Sequence, residues 1–196
     1  LVDETAEIVK AARDIIAGAS LDYNLPCIAE KSVIVVECVA DQLIQQMREY
    51  GALQITDQQQ MAALRAVCIQ KGAANKQLVG KSPAVILEAA GLPIPAKVPK
   101  LIILETAADD PLVVTEQLMP VLPIVRVDNF EQGLALALKV EDGLHHTAIM
   151  HSQNVSRLNK AAHLMQTSIF VKNGPSFAGI GVGAEGFTTF TIATPT

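Results

Sequence analysis

SLDYNLPCIAEKSVIVVEC, residues 20–38, carries a helix exit, a proline–cysteine turn and a buried strand in one run. Its second part, SVIVVEC (residues 32–38), is β-branched, uninterrupted and bounded by polar residues, so it reads as a strand covered on both faces. Ahead of it, Pro26 lacks a backbone donor and has a fixed φ, which makes the turn presenting Cys27 stiffer than a generic loop. Proline also biases Leu25 toward extended backbone and so ends the helix arriving from the N-terminal side. Loops at the ends of buried strands are where α/β layers mount chemistry. Cys27 is therefore a candidate nucleophile, against the plain alternative of a buried structural cysteine.

Outward from this stretch the chain alternates. Residues 3–19 predict an amphipathic helix, with Asp3, Glu4 and Thr5 at its start and Ile8, Ala12, Ile15, Ile16 and Ala19 on one face. Helices follow over 39–50 and from Thr56-Asp57 to Cys68, then a polar connector over 70–80. Ser82-Pro83 opens a short helix that Gly91 stops, and Pro93, Pro95 and Pro99 mark an exposed linker. LIILET (residues 101–106) reads as another buried strand. Residues 121–127 read as a strand that Pro123 demotes to an edge or an irregular start. Asn129 caps a helix through Val140, and strand, helix, strand follow over 147–151, 154–165 and 168–172. A glycine-rich loop (174–186) and a last strand (188–192) close the pattern. Strands alternating with helices predict an α/β fold, a largely parallel sheet with helices on both faces.

Half of the residues are hydrophobic, 18% are charged and only 4% aromatic, a balance that excludes disorder and suits aliphatic strands between helices. A net charge of -5 offers no basic face to nucleic acid or anionic lipid. The sparse, odd set Cys27, Cys38 and Cys68 makes no disulfide framework and fits a reducing cytoplasm. No apolar run reaches the length of a membrane span, and no signal peptide is read. The chain opens at Leu1-Val2 and stops at Pro195-Thr196 after an apolar stretch, which reads as a piece of a longer protein.

Several motifs fail on context. Gly181, Gly183 and Gly186 spell GxGxxG, but a proline loop precedes them and a Thr-rich β segment follows, where pyrophosphate binding needs a strand and then a helix. Gly80-Lys81-Ser82 lacks the first glycine of a phosphate loop, because position 75 is Asn75. His145, His146 and His151 have no thiol or paired carboxylate at ligand spacing, so no metal is expected. The acidic residues, Glu30 among them, read mostly as solvated flanking charges. Glu116 stands apart by preceding the apolar proline stretch EQLMPVLPIV, although a helix cap is the simpler local reading.

Four blocks in order, NLPCIAEK around Cys27, EQLMPVLPIVRV from Glu116, HHTAIMHSQN from His145 and SIFVKNGPSFAGIGVGAEGFTTFTIATPT from Ser168, resemble the aldehyde dehydrogenase superfamily. Within it they are most similar to the CoA-acylating branch, the propionaldehyde dehydrogenases of propanediol-utilising bacteria. The resemblance implies that residues 1–196 are the cysteine-bearing catalytic domain, with a nucleotide-binding domain upstream and a C-terminal oligomerisation segment downstream. It implies Cys27 as nucleophile, Glu116 on the nicotinamide ribose, and Leu118 near the place where relatives put an aromatic side chain against the nicotinamide ring. Pro26, Ile28 and Phe177 fall in segments that line the aldehyde pocket. Ala184 stands where close relatives commonly carry glycine, which alters the glycine loop.

The implied cofactor is NAD, with coenzyme A as cosubstrate and a short-chain aldehyde as substrate. An asparagine from the upstream domain would supply the second oxyanion donor. The full-length protein is then expected to be a homo-oligomer, cytoplasmic and inside a bacterial microcompartment, with the shell as a partner. The present chain is expected to fold but to show little activity. Three other readings stay open at this stage: an interaction or assembly fragment, a hydrolytic aldehyde dehydrogenase, and an unrelated cysteine acyltransferase or hydrolase.

Overall fold

The computed structural model describes residues 1–183. The strand expected over 188–192, together with Ala184 and Gly186 of the glycine loop, lies outside the described residues. The central sheet has the order β1 (Val33–Val36), β6 (Val121–Val127), β5 (Leu101–Glu105), β2 (Ala52–Gln54), and every pairing in it is parallel. Strand β5 shows why helices cover both faces. Leu101 and Ile103 pack into one core and Ile102 and Leu104 into the other, all four fully buried.

The first core is filled by α1 (Ile8–Ser20) and α2 (Glu37–Glu49), through Ile15, Ile16, Leu43 and Met47. The second is filled by α3 (Gln58–Cys68), α4 (Pro83–Ala89) and α5 (Pro111–Val114), through Leu64, Ile86, Leu87 and Leu112. A short antiparallel hairpin, β3 (Ile69–Gln70) with β4 (Ala73–Ala74), interrupts the expected polar connector. The last third of the described chain builds a smaller layer around Phe130, Leu134, Met150 and Leu158. Its elements are α6 (Phe130–Glu141), β7 (Thr147–Met150), α7 (Val155–Met165) and β8 (Ile169–Lys172), with β7 and β8 parallel. Asn129 and Asn154 cap α6 and α7, their side chains accepting the backbone N–H of Gln132 and Arg157.

The N-terminal residues overturn the expected helix start. Val2 forms parallel bridges to both Val35 and His151, and so stitches β1 to the end of β7. Its N–H donates to the Ile34 carbonyl at 2.9 Å and its own carbonyl accepts from Val36 N–H at 3.0 Å. Asp3 is fully buried and accepts from the Ser152 hydroxyl at 2.7 Å and from Arg157 at 3.1 Å. The cap of α1 is Glu7, which accepts from Lys10 N–H. An acidic cluster before an apolar periodic run looks like a cap, whereas the partners that bury Asp3 lie at the far end of the sequence.

Two further expectations are corrected. The first strand is shorter than read, because Glu37 and Cys38 already belong to the first turn of α2. Strand β6, demoted by Pro123, is central. Ile102 N–H bonds Pro120 O and Thr106 N–H bonds Ile124 O, so the even-numbered residues of β6 face β5. Pro123 therefore turns its donorless nitrogen toward β1, and β1 begins pairing only at Val33 opposite Ile124. A proline one residue ahead of its neighbour's first pair breaks no ladder bond.

Candidate active site

The exit from α1 is built from unusual backbone. Asp22, Tyr23 and Asn24 have φ of 45°, 54° and 66°, left-handed conformations that side-chain-bearing residues rarely adopt. The helix is over before them and well before Leu25: its C-cap Leu21 leaves helical backbone at φ -58°, ψ 124°. Leu25 is right-handed helical at φ -69°, ψ -38°, despite the proline that follows. The chain then closes a tight turn, with Ala29 N–H donating to the Pro26 carbonyl at 3.0 Å. Cys27 occupies the second position of that turn. It is exposed, while Ile28 and Ala29 behind it are buried.

Three polar side chains hold this geometry. Asn24 is buried and its amide donates to the carbonyls of Ala19 at 2.8 Å and Glu30 at 2.9 Å, tying the helix end to the far side of the turn. Lys31 Nζ donates to Asn24 O at 2.9 Å, Asn24 Oδ1 at 2.8 Å and Pro26 O at 3.1 Å. Glu30 is buried and accepts from Ser176 N–H at 2.9 Å, joining the turn to the 3-10 segment Ser176–Ile180. Gly18 makes room for it: a Cβ there would lie 2.2 Å from Glu30 Oε2.

Glu30 is thus no solvated flanking charge. Burial pushes its carboxyl up to about 7, more strongly than the Ser176 hydrogen bonds pull it down. An acid that holds its proton more tightly when folded contributes stability that is intact below the unfolded value of 4.5 and lost as pH rises through about 7. Glu30→Gln keeps the shape of the neutral acid. It is expected to remove a loss on the order of 3 kcal/mol from the alkaline side, read by urea unfolding at about pH 5 and about pH 8. An unchanged pH dependence would contradict a buried, neutral Glu30.

Cys27, Ile28, Lys31, Glu116, His146 and His151 share the wall of one open cavity of about 480 Å³. Glu116 is exposed there, in the loop after α5, and caps no helix. Of the other expected site residues, Pro26, Leu118 and Phe177 are not part of this wall. Pro26 closes the turn, Leu118 is left-handed at φ 53° with its carbonyl accepting from Gly80 N–H, and Phe177 sits half-buried in the 3-10 segment. Burial lowers the Lys31 ammonium to about 8, against the opposing pull of Glu116, Cys27 and Glu30. Burial also pushes His151 down to about 3, so this imidazole is neutral across the physiological range.

Lys31, His146 and His151 were not legible as cavity residues. The one local signal was an opposite-charge pair, Glu30-Lys31, set inside an otherwise apolar run. Among the described residues no group of three His, Cys, Asp or Glu could hold a metal ion, and no helix is long and apolar enough to cross a membrane. An exposed thiol on a stiff turn, with an ammonium and a carboxylate on the same wall, is equipped for nucleophilic addition to an electrophilic carbon.

Comparisons with known proteins agree along the chain. It is 69% identical over 196 residues to a propanal dehydrogenase (CoA-propanoylating) of Citrobacter freundii, covering all of this chain and 42% of that protein. A solved structure of propionaldehyde dehydrogenase from Rhodopseudomonas palustris, with bound CoA and an acylated cysteine, superposes with a TM-score of 0.94. It is 47% identical, over 99% of this chain and 44% of its own. A propionaldehyde dehydrogenase from the fucose utilisation bacterial microcompartment of Clostridium phytofermentans gives 0.93 at 43% identity, over all of this chain and 45% of its own. The chain spans less than half the length of each of these relatives. Residues 1–187, which include the thiol turn and the residues lining its cavity, match the aldehyde dehydrogenase family, and the chain belongs to that family.

Proposed function

We propose that this chain is the cysteine-bearing catalytic domain of a longer CoA-acylating aldehyde dehydrogenase, flanked in the complete protein by a nucleotide-binding domain and an oligomerisation segment. Its reaction converts propionaldehyde, or a similar short aldehyde, with NAD and CoA into acyl-CoA. The observation that carries this reading is the exposed Cys27 thiol on a rigid turn, facing a cavity whose wall also bears Glu116.

Cys27, as thiolate, adds to the aldehyde carbonyl and forms a thiohemiacetal. The carbonyl oxygen becomes an oxyanion, and the Cys27 backbone N–H is the donor this chain contributes to it. Loss of the aldehyde hydrogen as hydride leaves a thioester on Cys27. The thiol of CoA then displaces Cys27 and carries the acyl group away. NAD, when bound, supplies the hydride acceptor. An exposed carboxylate is the acceptor that ribose hydroxyls require, and Glu116 fits that role. Ile28 flanks the aldehyde from the cavity wall, and Pro26 stiffens the turn. Leu118 and Phe177 are assigned to the nicotinamide and aldehyde sides by family resemblance alone. Likeness to a microcompartment enzyme supports a cytoplasmic, shell-enclosed protein, while an oligomeric state rests on family resemblance alone.

The full-length protein supplied with propanal, NAD and CoA should form NADH and propionyl-CoA in equal amounts. The 196-residue chain alone should not approach that turnover. Release of propionate in place of propionyl-CoA would move the assignment to the hydrolytic dehydrogenases.

A further inference from the structure

We infer that Lys31 is a positioning residue for the reactive thiol: its ammonium ties down the backbone on the N-terminal side of Cys27 and sets a fixed positive charge within electrostatic reach of Cys27 and Glu116. Three observations lead there. All three acceptors of Lys31 Nζ, at 2.8 to 3.1 Å, lie within residues 24–26, so one cation spans the segment that delivers Cys27. That segment begins on Asn24, the last of three left-handed residues, a path that needs an external hold to persist. Lys31 also lines the cavity with Cys27 and Glu116, half-buried and not waving in solvent.

The charged and titratable groups that act on this ammonium are Glu116, Cys27 and Glu30, all raising its proton affinity, while burial lowers it more. Glu141, Asp142, His146, His151 and the amino-terminal Leu1 are the other titratable residues on the same wall. With its pKa at about 8, Lys31 is mostly charged near neutrality and loses that charge in mild alkali.

The inference rests on Cys27 being the reactive thiol. Alkylation needs neither NAD nor CoA, so a failure of acyl-CoA synthesis and a failure of the Lys31 role appear in different experiments. The test compares two reagents of equal chemistry, anionic iodoacetate and neutral iodoacetamide, with Cys27 followed by peptide mapping. Their rate ratio cancels the thiolate fraction and reads the local charge. Cys38, exposed at the start of α2, gives a reference in the same sample.

At about pH 7, Lys31→Met is expected to lower the ratio at Cys27 by about three- to tenfold and to leave Cys38 unchanged. Lys31→Arg, which keeps the charge, should hold the ratio within about twofold of the parent chain. The unsubstituted chain supplies a second reading if the methionine variant does not fold: its Cys27 ratio should fall between about pH 7 and about pH 9.5, as Lys31 deprotonates. A ratio indifferent to pH, or equal loss in the methionine and arginine variants, overturns the inference.

Discussion

Cys27→Ala in the full-length protein is expected to lower acyl-CoA formation by at least about 10⁴-fold, because removing the nucleophile of a covalent mechanism removes the whole two-step route. Affinity for NAD should change little. The substitution sits at an exposed turn position whose backbone bond, Ala29 N–H to Pro26 O, does not involve the side chain. Folding should therefore be retained, and a melting temperature close to the parent's separates lost chemistry from lost structure. Substantial residual acyl-CoA synthesis would remove Cys27 from the reaction.

Glu116→Gln is the second large effect. The change keeps the shape and removes the charge that strengthens hydrogen bonds from ribose hydroxyls. Charge-assisted bonds contribute about 1.5–3 kcal/mol each, so kcat/KM for NAD should fall about 10- to 100-fold. Glu116 lies in a loop on the cavity wall and none of the backbone bonds around Cys27 depends on it. The thiol should stay fully accessible to iodoacetamide. An NAD dependence equal to the parent's would place the ribose elsewhere.

What could be read from sequence was whatever depends on near neighbours. The apolar runs at Val33–Val36 and Leu101–Glu105 form strands whose apolar side chains are buried on both faces, and a continuous β-branched or aliphatic run announces that directly. Asn129 and Asn154 were legible as caps because a cap acts on an N–H only a few residues away. Cys27 was legible as an accessible thiol from the proline before it and the strand after it.

Features that depend on distant partners were misread. Asp3 looks like a helix cap until Ser152 and Arg157 close over it. Glu30 looks like a surface charge until Ser176 and the bare face of Gly18 enclose it. Pro123 looks like an edge marker, because the offset at which β1 starts is a property of the assembled sheet. The failure at Leu25 has a different origin. A local rule about residues before proline is outweighed by the ties that Asn24 and Lys31 make across the turn.

In the proposed mechanism the Cys27 sulfur carries the acyl group between oxidation and transfer to CoA. Its most direct test omits CoA: the full-length protein is incubated with propanal and NAD, quenched in acid, and the peptide bearing Cys27 is weighed. A propionyl adduct is expected on Cys27 that disappears when CoA is added, with propionyl-CoA appearing in its place. NADH formed while Cys27 stays unmodified, or an adduct mapped to another residue, would contradict it.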